Sequence, residues 1–282
     1  MEIIDIHVHI TPPEIIRDEM KYRRREPHFD LLCSNPANKF VTAKRLIDHM
    51  DETGVAKSIV FGFAFRDMEL CRFVNDYTLE AIRSYPERLY GFAVINPLHG
   101  DAERELERCI SLGMVGLGEL LPWGQEFDIA DKKSMEKICT LCAENEIPVM
   151  VHVNELVGHY YPGKGKVSIV EAETLARNFP HALFILSHMG GGLSFYELMP
   201  EVRENLKNVY YDTAAVPFLY DKRLYEVVKT AGLLEKTLFG SDYPLLSPSK
   251  YLKDLENTSL SASEKAKILG GNVKKIVSVK QL

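Results

Sequence analysis

The sequence predicts a distorted (β/α)8, or TIM, barrel of the α/β class, and three observations carry that reading. Short β-branched or aromatic runs alternate with helical patterns from one end of the chain to the other. Eight such units fit the 282 residues, as in a barrel of ordinary size. Polar residues with ligand chemistry recur at the carboxyl ends of at least five of the strands. An open doubly wound sheet is the competing architecture, but it would gather such residues near one switch point instead of spreading them.

The elements follow in order. Met1–Ile10 alternates, with Ile4, Ile6, Val8 and Ile10 on one face and Asp5, His7 and His9 on the other. Residues 11–40 form a long polar arm holding the run Tyr22-Arg-Arg-Arg25, read as a solvated face, with a lid over an anionic substrate as the lesser reading. Ala43, Leu46, Ile47 and Met50 have helical spacing, and Gly54 supplies the C-cap. Strands are then expected at Ser58–Phe63, Leu89–Ile95, Val115–Leu120, Pro148–Val153, Leu183–His188, Val209–Asp212 and Thr237–Asp242. The intervening helices are expected at Leu70–Ser84, Ala102–Leu112, Ser134–Asn145, Ile169–Asn178, Leu198–Leu206 and Tyr220–Ala231. Ser261 and Glu264 form a capping box, that helix ends at Gly270-Gly271, and a last amphipathic helix runs through Ile276 and Val277. With no linker or further repeat, residues 1–282 read as one domain.

Composition narrows the function classes. A formal net charge of -6 argues against nucleic acid or an anionic membrane as partner, and no apolar run approaches membrane-spanning length. A charged first strand instead of a signal peptide, and an odd five cysteines, suit a cytoplasmic protein. Cys139 and Cys142 form a C-x-x-C, but i and i+3 share one helical face and no second pair completes a zinc site, so they read as core thiols.

If the apolar faces pack on helices, His7, His9, His152, His188 and Asp242 converge at the carboxyl-end mouth, where barrel enzymes keep their sites. Three imidazoles and a carboxylate suit Zn2+ or a similar divalent ion such as Mn2+ or Fe2+, with a coordination position left open. A lone strand histidine is more often a hydrogen-bonded core group; the joint pattern is what points to metal.

At these residues the sequence resembles a known family. Asp5-x-His7-x-His9, His152, Ser187-His188-Met-Gly-Gly-Gly192 and Gly240-Ser-Asp242-x-Pro244 are similar to motifs of the amidohydrolase superfamily, and most of all to its amidohydrolase-2 and aminocarboxymuconate-semialdehyde-decarboxylase-like branch. Tyr85–Pro97 and Ile268–Asn272 also resemble that branch, so the likeness covers essentially the whole chain. The resemblance implies His7, His9, His152 and Asp242 as metal ligands, and His188 as a second-ion ligand or substrate contact. Glu119 falls where two-metal members of the superfamily place a bridging carboxylate; the bland alternative is a carboxylate that orients a histidine.

Two ions bridged by Glu119 would favour hydrolysis of a small amide, cyclic amide, ester or lactone by metal-activated water, with Asp242 moving the proton and His188 helping to polarise the carbonyl. That is the leading expectation. The alternative is a metal-dependent, non-oxidative decarboxylase of an unsaturated or aromatic acid, and a catalytically silent scaffold is the third reading. Asp5 and Asp212 read as supporting groups. Gly190–Gly192 reads as a tight turn, and His28, His49, His99 and His181 have no assigned role. The long loop after the fifth strand places Asn154, His159, Tyr160 and Lys164 beside the mouth as contacts for an anionic substrate, and Trp123 is expected to wall an apolar pocket there. The arm at 11–40 is a candidate lid or homodimer interface.

Overall fold

The computed structural model describes residues 2–277. Its eight parallel strands are β1 (Ile4–His9), β2 (Lys57–Phe61), β3 (Leu89–Ala93), β4 (Gly116–Leu120), β5 (Val149–Val151), β6 (Phe184–Leu186), β7 (Val209–Asp212) and β8 (Thr237–Leu238). They hydrogen-bond in sequence order, with helices between them. The seam between β8 and β1 is closed by individual bonds: Ile6 N–H to Phe239 O at 2.9 Å, Asp242 N–H to His7 O at 3.0 Å and His9 N–H to Tyr243 O at 2.9 Å. This is the (β/α)8 barrel the alternation predicts.

The strands are shorter at the mouth than alternation suggests. β6 stops at Leu186 and β8 at Leu238, and His188 and Asp242 lie beyond them with φ of 57° and 60°. A left-handed residue cannot continue a pleat, so these two side chains reach the mouth through turns. The Met189–Gly192 turn after β6 is left-handed throughout, as a tight turn there requires.

Both faces of the barrel wall are covered, so the strands are almost wholly buried, and one large apolar cluster joins strand and helix side chains from Ile4 to Val277. Cys139 and Cys142 are free thiols buried in that cluster on the helix Lys132–Glu144. Burial pushes the Cys139 thiol up to about 12, which keeps it an apolar packing group.

The arm is more ordered than its composition implies. It forms three short helices, Pro13–Arg17, Glu19–Arg23 and Pro27–Cys33. Tyr22 is buried, while Arg23 pairs with Glu19 and Asp30, and Arg25 pairs with Asp67. Buried Glu26 accepts the backbone N–H groups of Arg66 (3.1 Å) and Asp67 (2.8 Å), pinning the arm to the loop after β2. No helix among the described residues is long and apolar enough to cross a membrane.

The helix Ala43–Thr53 is capped by the Thr42 side chain and ends at Gly54, whose φ is 74°. No atom lies within 4 Å of where a Cβ on Gly54 would stand, so only backbone conformation opposes a side chain there. Gly54→Ala should therefore cost about 1 kcal/mol in a denaturant titration. Gly100→Ala, equally uncrowded but without positive φ, should change stability little.

Candidate metal centre

The centre is built from strand ends. His7 is fully buried, and its Nδ1 lies 2.9 Å from Oδ2 of Asp212 at the end of β7. The other Asp212 oxygen accepts the backbone N–H groups of His188 (2.9 Å) and Ala214 (3.0 Å). Asp212 thus holds Nδ1–H of His7 as a donor and directs Nε2 to the mouth. Asp5 accepts from the backbone N–H groups of His7 (3.2 Å) and Ser241 (2.9 Å), and burial lifts its carboxyl to about 7. Both aspartates are the supporting groups the sequence indicates. His9 stacks on Phe63, with ring centroids 5.3 Å apart, and its Nε2 stands 3.3 Å from Nε2 of His7. Oδ1 of Asp242 is 3.4 Å from His9 Nε2 and 3.7 Å from His7 Nε2.

Glu119, on β4, spans this group and a second one. Its Oε2 lies 3.6 Å from His7 Nε2 and 3.8 Å from His9 Nε2. Its Oε1 lies 3.0 Å from His152 Nδ1 and 3.6 Å from His188 Nε2. His152 Nδ1 and His188 Nε2 are 3.1 Å apart, and His188 Nδ1 donates to the Ala214 carbonyl at 2.9 Å. Two triads result, His7/His9/Asp242 and Glu119/His152/His188, and within each the ligand atoms lie within 4.8 Å of one another.

The electrostatics fit a cation. Burial pulls the His7 imidazole down, but Glu119 and Asp212 outweigh it and lift His7 to about 10. Burial likewise opposes the rise of His188 to about 9, which the Glu119 carboxylate drives. Burial raises Glu119 and Asp242, but the imidazoles prevail: Glu119 falls well below the ordinary carboxylate range and Asp242 to about 2. These carboxylates stay ionised and demand positive charge beside them, from imidazole protons or from a divalent ion that displaces those protons. Ring nitrogens 3.1–3.3 Å apart, backed by buried carboxylates, are a donor set that suits such an ion.

Asp212→Asn should weaken divalent-ion affinity by about 10- to 100-fold with the barrel intact, since Asp212 orients His7 without facing the mouth. Competition against a chromogenic chelator measures this.

The two triads open on a cavity of about 360 Å³. Phe63, Leu121, Phe218, Leu219 and Leu245 give it apolar walls, while Leu32, Asn35 and Lys39 of the arm form its roof. His7, His9, Glu119, His152, His188 and Asp242, all named from the sequence, are brought together. The loop residues are sorted differently. His159 and Tyr161 line the cavity, whereas Tyr160 is 75% exposed and does not line it. Lys164 is folded back, with its ammonium on the carbonyls of Val157 (2.7 Å) and His159 (3.1 Å) and on Glu155 (3.2 Å), so its donors hold the loop. Asn154 is buried beside the wall, 3.4 Å from the Tyr161 hydroxyl. Trp123 faces a separate cavity, with His28, whose imidazole is pushed down to about 4 by burial and by the nearby His152. Sequence reasoning missed the apolar walls and gave Tyr161 no role, while the arm, a candidate lid from the sequence, supplies the roof.

A parallel barrel with paired histidine–carboxylate triads at its mouth defines a class, barrel proteins whose mouth gathers a donor set able to hold a cation. Within it, the chain belongs to the amidohydrolase family, whose model matches residues 4–278. No curated protein matches the chain. Among solved structures, it is similar to a putative amidohydrolase from Staphylococcus aureus, with 22% identity, coverage of 98% of this chain and 99% of that one, and a TM-score of 0.73. A 5-carboxyvanillate decarboxylase from Sphingomonas paucimobilis shares 16% identity over 98% of each chain, with a TM-score of 0.78. A dihydroxybenzoic acid decarboxylase from Polaromonas sp. JS666, with bound manganese and the inhibitor 2-nitroresorcinol, shares 21% over 100% of this chain and 98% of that one, with a TM-score of 0.71. At these identities the likeness establishes the fold.

Proposed function

We propose that the protein is a metal-dependent, non-oxidative carboxy-lyase acting on a small unsaturated or aromatic carboxylic acid. The observation that carries this reading is the setting of the triads, which open on apolar walls from Phe63, Leu121, Phe218, Leu219 and Leu245. Such walls suit a flat apolar ring and strip water from the carboxylate that must leave. The solved decarboxylases of the same fold support the choice by analogy.

His7, His9, His152 and Asp242 would hold the ion, with Glu119 beside them. When bound there, a divalent ion would supply positive charge beside the substrate anion. The bond between the ring carbon and the carboxylate breaks, CO2 leaves, and the electron pair remains on the carbon until a proton replaces CO2. His188 would move that proton at Nε2, because its Nδ1 is committed to Ala214 O. Asp212, holding the His188 backbone N–H, keeps that imidazole in place. The apolar walls keep competing water from the exposed carbon.

Hydrolysis of an amide or lactone is the second reading, and one observation favours it: the two Glu119 oxygens face different triads, as a bridge between two ions would. The discriminating experiment incubates protein loaded with Mn2+ or Zn2+ with hydroxybenzoic and dienoic acids, and separately with amides and lactones. CO2 equal to the acid consumed is the expected result. Turnover of an amide or lactone with no CO2 from any acid would sink the lyase reading.

A further inference from the structure

A second cavity, of about 590 Å³, lies on the outer side of the arm. Leu31, Trp123, Phe127 and Val167 line it, together with the His28 imidazole. A Cβ on Gly124 would stand 2.5 Å from Cδ2 of His28, so the glycine after Trp123 lets that imidazole lie directly on the backbone. The cavity shares its walls with the metal cavity. The helix Pro27–Cys33 turns His28 and Leu31 outward and Leu32 inward, and the loop after β5 gives Gly163 to the inner cavity and Lys166 to the outer.

Its charges sort by what already engages them. Glu126 pairs with Arg66 at 2.9 Å. Asp128 accepts the Ala130 N–H at 2.7 Å, and Glu171 closes a capping box on Ser168 at 2.6 Å. Lys166 has no carboxylate within salt-bridge distance among the described residues; its ammonium sits over the Trp123 ring, 4.4 Å from the centroid. Asp128 and Glu171 keep their charge but turn an oxygen to backbone N–H groups, so the side chains left to meet a ligand are the Trp123 plane with the Lys166 ammonium over it, the His28 imidazole and apolar flanks.

We propose that this outer cavity is a second binding site, for a small planar organic carboxylate whose ring packs against Trp123 and the His28 face and whose charge meets Lys166. A ring against aromatic and aliphatic side chains gives the bulk of the contact, and a charge-assisted bond to the ammonium gives the sign selection. The occupant would rest on the outer face of the helix whose next residue roofs the metal cavity, a place for substrate on its way in or product on its way out. The binding itself does not depend on which reaction the metal centre performs.

Trp123 is the sole tryptophan in the chain, so indole fluorescence of the metal-loaded protein reports this cavity directly. Titration with benzoate should give a saturable change, with the neutral benzamide binding more weakly. Lys166→Met, a change at an exposed side chain, should weaken benzoate roughly tenfold and benzamide little, while Lys166→Arg keeps the wild-type response. An unfolding midpoint equal to wild type confirms that Lys166→Met is folded. No saturable change with benzoate, an unaltered response in Lys166→Met, or tighter binding of benzylamine than of benzoate would each overturn the site. None of these outcomes bears on CO2 release at the metal centre.

Discussion

His152→Ala should leave a folded barrel that has lost its metal. Oε1 of Glu119 keeps His188 as a neighbour and Oε2 keeps His7, so removing one partly exposed imidazole strands no buried charge. Affinity for the divalent ion should fall by more than about 100-fold, beyond the loss typical of groups that only orient a ligand. Turnover should disappear in proportion. Elemental analysis after dialysis, set against the circular dichroism of the same sample, tests this. Metal retained at the wild-type level would remove His152 from the ligand set.

Glu119→Gln should have the next largest effect, and it separates the two reactions. In the lyase reading, one ion per chain would sit at His7, His9, His152 and Asp242, and the variant retains it with weaker affinity. A fall from two ions to one would instead support the bridged hydrolytic centre. The metal-free protein carries a second signature. Glu119 helps lift His7 from its ordinary 6.5 to about 10, and His188 to about 9. A raised imidazole binds more protons folded than unfolded between those values. Its stabilisation is complete below about 6.5 and is lost as pH climbs through 9 to 10. Metal-free wild type should therefore lose stability over that alkaline window, and Glu119→Gln should show a shallower slope in denaturant midpoints measured across it.

The residues that meet at the mouth were legible in the sequence because chemistry at a strand end is local: His7-x-His9, Glu119, His152, His188 and Asp242 each follow or finish a strand that its own residues announce. Orientation was less legible. Alternation placed His188 and Asp242 on the proper face, yet both sit beyond the pleat in left-handed turns, so the right position was reached for a reason the backbone does not share. The cavity walls were not legible residue by residue. Phe218 and Leu219 come from the segment after β7, and Leu32 and Lys39 from the arm, brought to the mouth by packing between distant parts of the chain. In the loop after β5, neighbours Tyr160 and Tyr161 have the same composition signal and opposite fates, because a loop without periodicity carries no information on which side chain turns inward.

The seam between β8 and β1 has a consequence for how the molecule is held together. The bonds that close it come from the same stretch as one triad: Asp242 N–H reaches His7 O, His9 N–H reaches Tyr243 O, and Asp5 takes the Ser241 N–H. His7 and His9 enter at the start of the chain and Asp242 near its end, so this half of the centre does not exist until the ring of strands is complete. A cation gripped there would act as a clasp across the longest loop in the protein, where restraint removes the most freedom from the unfolded chain. Barrel closure and assembly of the triad then coincide, and a cation bound at the mouth would tie the first strand to the last.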